Sequence, residues 1–256
     1  MRILISNDDG INAHGLKVLE NVARTISDDI WIIAPEGECS AAGHSLTINS
    51  PLRVREVSEK KYAIKGTPTD CVLIGISNIM KDCPPDLVLS GINHGGNIAE
   101  DITYSGTVAV AMEATLMGVQ AIAFSLGTAY DRPAKWATAE HHAPALLKQL
   151  IALKYAKGVF MNVNFPNVIA SSVKGVRVAC QGQRIVAGDK LIKRLDPRGV
   201  AYYWISGVDY HQSGPQGTDL NAVAEGFISI TPLSLDFTHQ QSLESLQKIF
   251  PQGDYE

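Results

Sequence analysis

Asp8 and Asp9 are adjacent carboxylates at the end of a short apolar run, Ile3-Leu4-Ile5, and Gly10 follows them as a turn residue. Like charges repel, and burial penalises ionisation. An acidic pair at the end of a buried strand is therefore costly unless a cation binds both carboxylates. The pair reads as a metal site at the carboxyl edge of a sheet. Asn7-Asp8-Asp9-Gly10 is also good turn chemistry, so a solvated Asx-turn is the alternative from this segment alone.

Ser40 and Asn93, the latter within Ser90-Gly91-Ile92-Asn93, follow other apolar runs. In open parallel sheets ligands bind beyond the carboxyl ends of the strands, which is where loops carrying these residues would lie. Carboxylate, hydroxyl and amide oxygens suit one hard divalent cation, Mg²⁺ or Mn²⁺, and no thiolate or histidine cluster argues for zinc. Taken singly, Ser40 and Asn93 read as turn or cap residues; only their shared position favours ligation.

Tyr104-Ser105-Gly106-Thr107 directly precedes a helical stretch that begins Val108-Ala109. A glycine flanked by hydroxyls at a helix start offers free N–H groups and the positive dipole end, which suits a phosphate. Plain N-capping is the simpler account. The loop from Gly91 to Asn97 lets backbone approach a ligand closely. It is not a G-x-G-x-x-G, and nothing matches G-x-x-x-x-G-K-[ST]. A metal beside a phosphate cradle points to phosphoester chemistry. A side chain at Gly106 is expected to obstruct the phosphate and leave metal binding largely intact.

Strands and helices alternate around these residues. Leu16, Leu19, Val22, Ala23 and Ile26 recur at helical spacing, and a second strand runs from Ile30 to Ala34. A hairpin is expected around Leu52–Val57 and Tyr62–Ile64, and Thr67-Pro68-Thr69-Asp70 starts a helix. Strands follow at Asp86–Ser90, Gln120–Leu126 and Val159–Asn164. Helices are expected at Thr107–Met117, stopped by Gly118, and at Pro133–Leu153. Such alternation implies a mainly parallel sheet with helices on both faces, over residues 1–171.

From Ser172 the pattern changes. Val176–Cys180, Ala201–Ile205 and Phe227–Thr231 read as strands with no clear helix between them, and Leu243–Phe250 reads as a terminal helix. Residues 172–256 form an extended segment and not an independent domain: either a peripheral β-extension or an arm that pairs with another subunit.

The whole chain has 256 residues, 45% apolar and 19% charged, as expected of a globular α/β protein. A net charge of -4 gives no basic field for a nucleic-acid polymer. Cys39, Cys71, Cys83 and Cys180 form no C-x-x-C pair and read as reduced thiols of a cytoplasmic protein. No signal peptide and no membrane span are expected.

Asn7-Asp8-Asp9-Gly10, Ser40, Gly66-Thr67-Pro68-Thr69-Asp70-Cys71, Ser90-Gly91-Ile92-Asn93 with Gly95 and Asn97, and Tyr104-Ser105-Gly106-Thr107 occur in the order of the survival protein SurE family. Asp196-Pro197-Arg198-Gly199, Gly217-Thr218-Asp219 and Ser229-Ile230-Thr231-Pro232-Leu233 extend the match, so the chain resembles that family over nearly its whole length. Glu36 and Ala41 stand where family members usually read Asp and often Gly. The resemblance implies an α/β, Rossmann-like core with a C-terminal β-rich extension and terminal helix. It implies a divalent-metal-dependent nucleotidase acting on nucleoside 5′- and often 3′-monophosphates, with short polyphosphate as a further substrate. It assigns Asp8, Asp9, Ser40 and Asn93 to one Mg²⁺ or Mn²⁺ per subunit, and Asn97, Ser105, Gly106 and Thr107 to phosphate. It also implies homodimers or homotetramers with exchanged tail elements.

The mechanism expected is attack by metal-activated water on a phosphomonoester. An aspartyl-phosphate mechanism needs an Asp two residues before a second one, and here that earlier position is Asn7. The general base and acid are not identified; His14, His44 and His94 are candidates. A metal-nucleotide sensor without turnover is the alternative from another class.

Overall fold

The computed structural model describes residues 1–128, 132–184, 191–205 and 213–250. β1 (Ile3–Ser6) leads into α1 (His14–Ala23), followed by β2 (Ile30–Pro35), β3 (Arg53–Ser58) and β4 (Lys61–Lys65). Then come α2 (Pro68–Ile74), a short π-helical turn, β5 (Leu87–His94), α3 (Asp101–Tyr104) and α4 (Gly106–Leu116). β6 (Gln120–Gly127), α5 (Trp136–Ile151), β7 (Val159–Pro166) and β8 (Val176–Val178) follow. The chain continues through β9 (Leu191–Leu195), β10 (Ala201–Ile205), α6 (Asp219–Ala224), β11 (Ile228–Ser234) and α7 (Gln240–Ile249).

One nine-stranded sheet has the order β3-β4-β2-β1-β5-β6-β7-β11-β8. From β4 to β7 neighbours run parallel; β3 pairs antiparallel with β4, and β11 antiparallel with β7. Residues alternate across the sheet because successive Cβ atoms of a strand point to opposite faces. Ile3 and Ile5 accordingly join the core with Leu16, Leu19 and Leu147, whereas Leu4 joins Val72, Val108 and Ala111 on the other face. The protein is thus an α/β fold with helices on both faces, as expected.

The chain leaves β1 for β2 on one side, while β5 lies against β1's other side. This reversal opens a crevice at the carboxyl ends of β1 and β5, the location where open α/β sheets bind ligands. Local chemistry fixes the supporting helices. Thr67 caps α2 with a reciprocal box in which Asp70 N donates to Thr67 Oγ1 (3.1 Å) and Thr67 N to Asp70 Oδ2 (2.8 Å). Ser105, not Thr107, caps α4: Val108 N donates to Ser105 Oγ at 3.0 Å.

Several boundaries differ from the sequence expectation. β5 runs on through His94, so Asn93 is a strand residue and not a loop residue. β11 and β8 complete the main sheet, while β9 and β10 form a separate two-stranded sheet. α6 and β9 had no clear local signal: α6 is six residues long, and β9 mixes apolar with basic side chains. Part of the stretches flanking β9 and β10 lies outside the described residues. Among the described residues no helix is long and apolar enough to cross a membrane.

Candidate active site

The four proposed ligands come from three strand ends that hydrogen bonds hold together. The Asn7 amide donates to Gly10 O at 3.0 Å and closes the turn that carries the acidic pair. Cys39 N donates to Asp8 O at 2.7 Å, which pins the Ser40 loop beside that turn. His94 N donates to Asp9 Oδ2 at 3.1 Å, which brings the Asn93 end of β5 against the second carboxylate. Asn93 Nδ2 donates to Gly95 O at 2.9 Å, so the amide is oriented by its nitrogen and that bond does not use its carbonyl oxygen. Ser40 is exposed, and its hydroxyl donates to Glu38 Oε1 at 2.9 Å.

The acidic pair is short of positive charge. Burial pushes the Asp8 carboxyl up to about 6, and the charge of Asp9 adds to this, whereas the bond from Thr107 lowers it. Burial also raises Asp9, with Glu38 adding to the effect and His94 opposing it. No lysine or arginine pairs with either carboxylate among the described residues. No group of three or more His, Cys, Asp and Glu side chains is assembled for a metal among those residues. A cation here would be held by two carboxylates with hydroxyl and amide oxygens. That set fits Mg²⁺ or Mn²⁺ and does not fit zinc.

The segment Ser105-Gly106-Thr107, expected to hold phosphate, lies against the same pair. Thr107 Oγ1 donates to Asp8 Oδ1, so the first turn of α4 is bonded directly to one carboxylate of the acidic pair. A Cβ at Gly106 would lie 2.6 Å from Asp8 Cβ and 2.8 Å from Pro68 Cγ. This corrects the expectation that a side chain at Gly106 would spare the metal site: the helix approaches Asp8 so closely that both would be disturbed. Thr107 therefore orients a carboxylate through its hydroxyl. With Ser105 occupied by Val108 N, the amides that start α4 remain outside the intrahelical ladder.

Asn97 is buried, and its side chain holds the fold. Its Nδ2 donates to Ser125 Oγ at 2.8 Å, and its backbone carbonyl accepts from Asn162 Nδ2 and Asn164 Nδ2 at 2.7 and 3.1 Å. These bonds tie the Gly95–Asn97 turn to β6 and β7. Of the histidine candidates, His44 Nε2 lies 2.9 Å from Glu113 Oε2, whereas His14 and His94 both lie beside Trp136.

The sequence reading missed the contribution of the tail. Asp219 Oδ2 accepts from Ala99 N at 3.0 Å, while its Oδ1 accepts from Gly182 N and Leu220 N, both at 2.8 Å. Arg184 Nη2 reaches Asp101 Oδ2 at 2.7 Å, and Arg184 N donates to Glu100 Oε1 at 2.9 Å. The tail thus clamps the segment that leads into Ser105. The available signal was Gly217-Thr218-Asp219, a capping threonine followed by a first-turn acid.

The family model described as survival protein SurE matches residues 3–188. The 5′-nucleotidase SurE of Paramagnetospirillum magneticum is 54% identical over 250 residues, covering 98% of this chain and 96% of that protein. Its counterpart in Parvibaculum lavamentivorans is 50% identical over 248 residues, covering 96% and 90% respectively. The crystal structure of the Aquifex aeolicus SurE protein superposes with a TM-score of 0.83 at 35% identity, covering 97% of this chain and 99% of that one.

Proposed function

This chain belongs to the survival protein SurE family, and from that premise we propose that it is a divalent-cation-dependent 5′-nucleotidase. The observation that carries the reading is the Asp8–Asp9 pair, buried at Asp8 and half-buried at Asp9, unpaired by lysine or arginine among the described residues and bonded through Asp8 to the first turn of α4. Asp8, Asp9, Ser40 and Asn93 would hold one Mg²⁺ or Mn²⁺. When bound, the cation supplies Lewis-acid stabilisation of phosphoryl oxygens and makes water nucleophilic near neutral pH. Ser105, Gly106 and Thr107, with Asn97 bracing the adjoining turn, make up the phosphate side. Asn7, whose amide is spent on Gly10, cannot form an acyl phosphate, which closes the aspartyl-phosphate route that would need an Asp at that position. The α4 amides meet charge on the phosphoryl oxygens with dipoles that are already fixed.

The family resemblance supports 3′-monophosphates and short polyphosphate as further substrates. Residues 1–171 act as the catalytic core and 172–256 as the oligomerisation segment of a homodimer or homotetramer. The exposed apolar side chains Leu191, Tyr203, Trp204 and Ile205 of β9 and β10 support that assembly. Free thiols at all four cysteines accord with a cytoplasmic location. The deciding test is phosphate release from AMP with Mn²⁺. Release abolished by EDTA is the expected result; binding of AMP and Mn²⁺ without release would replace the enzyme reading with that of a nucleotide sensor.

A further inference from the structure

A cavity of about 410 Å³ opens where β6 ends at Gly127 and β7 ends at Pro166. It borders none of Asp8, Asp9, Ser40 and Asn93. A Cβ at Gly127 would lie 3.1 Å from Val223 Cγ1 and 3.3 Å from Phe165 O, so the bare glycine lets α6 come close to the strand end. Among the described residues the apolar wall is aliphatic: Ile98, Val168, Leu220 and Val223, with Pro133 and Pro166. A proline carries no N–H, so at two places the backbone of the wall has no donor to satisfy.

The polar groups of the wall are of two kinds. Thr128 and Asn167 are engaged with the wall itself. Asn167 Nδ2 donates to Thr128 Oγ1 at 3.0 Å and to Pro133 O at 3.2 Å, and Asn167 Oδ1 accepts from Lys135 N at 2.8 Å. Thr128 Oγ1 donates in turn to Arg132 O at 3.2 Å. These bonds hold the loop after β6 against the end of β7, and with it the backbone of Arg132 and Lys135. Both cations are exposed and line the cavity, and neither joins an ion pair among the described residues. No aspartate or glutamate lines the cavity among those residues. Glu225, between the lining residues Ala224 and Gly226, reaches Arg177 instead, with Oε2 2.7 Å from Nη1.

We propose that this cavity binds an apolar organic carboxylate, its aliphatic body against Ile98, Leu220 and Val223 and its carboxylate at Arg132 and Lys135. Burial of the aliphatic part drives association, and the two cations select an anion over a neutral molecule of the same shape. The site goes beyond the nucleotidase reading and does not depend on it, because none of the proposed cation ligands lines it. A larger cavity of about 860 Å³ along β8 and β11 has Asp236 in its wall and neither lysine nor arginine, so it offers an anion no such selection.

The test is calorimetry on the full chain, with EDTA present and no nucleotide, comparing octanoate with octan-1-ol. Arg132→Gln with Lys135→Gln should weaken octanoate about 3- to 30-fold, the scale of two exposed charge contacts, and leave octan-1-ol unmoved. If octanoate does not bind the unaltered chain at millimolar concentration, the proposal is overturned. An octanoate affinity unmoved by the double substitution overturns it as well. So does equal weakening of both ligands, since the charges would then not be reading the carboxylate. Ala224→Asp, at an exposed position of the wall, is the independent variant. A carboxylate placed there should weaken octanoate and spare octan-1-ol; an unchanged octanoate affinity would put the ligand elsewhere and overturn the assignment.

Discussion

The crevice at β1 and the β9–β10 hairpin lack opposite things. Around Asp8 and Asp9 the turn is closed by hydrogen bonds, but a buried carboxylate and its half-buried neighbour have no lysine or arginine partner among the described residues. In the hairpin every backbone pair from Leu195↔Ala201 to Leu191↔Ile205 is formed, yet all ten residues are exposed, Trp204 and Ile205 by 63% and 81%. A lone two-stranded hairpin is marginal in water. The first region is short of charge and calls for a cation with an anionic ligand. The second is short of apolar cover and calls for a protein surface, which a symmetric copy supplies most simply.

Removing one carboxylate is the severest way to break that contrast. Asp8→Asn should lower phosphate release from AMP by at least ~10²-fold, the scale of losing a major electrostatic contributor. Its melting temperature without metal should hold or rise, because a buried repelling charge is gone. Near-normal turnover at limiting Mn²⁺ would end the assignment. Gly106→Val should come next: a Cβ only 2.6 Å from Asp8 Cβ should weaken Mn²⁺ and inorganic phosphate together, each by roughly tenfold, as read by calorimetry. Loss of phosphate binding alone would show the cradle to be separable from the metal pair.

On the other side of the comparison, Trp204→Lys with Ile205→Lys should reduce the mass seen by light scattering at micromolar concentration while leaving the far-ultraviolet spectrum intact. A monodisperse monomer for the unaltered chain would defeat the assembly reading. The smallest effect is expected at the cap of α6, whose Asp219 bonds the segment before Ser105. Thr218 Oγ1 accepts from Asn221 N at 3.3 Å and donates to Pro215 O at 2.7 Å. Thr218→Ala should cost about 1 kcal/mol, a melting shift of roughly 2–4 °C. A larger loss of activity than of stability would mean that the cap positions Asp219 against Ala99.

Much of the core was legible because its signals are local. Ile3-Leu4-Ile5 and Gln120–Leu126 announce buried strands, and Thr67-Pro68-Thr69-Asp70 announces a capped helix by residue type alone. The acidic pair was legible for the same reason: neighbours in sequence are neighbours in space. What escaped was carried by pairing across long separations. Nothing near Ile228 says that it will align with Val176 and extend the sheet beyond β7. Nothing near Asp219 says that it will accept a hydrogen bond from Ala99. Asn97 shows the limit of a motif, for its position was anticipated while its bond to Ser125 was not.

The bond from Thr107 to Asp8 and the contact at Gly106 join the proposed cation and phosphate positions in one wall. Thermodynamic linkage then requires reciprocity: whatever factor phosphate adds to cation affinity, the cation must add to phosphate affinity. Phosphate without the cation would meet two carboxylates of its own sign, and the cation would remove that repulsion. Product phosphate should accordingly be held most firmly while the cation remains, so the step that empties the site after hydrolysis is coupled to the metal as closely as the step that filled it.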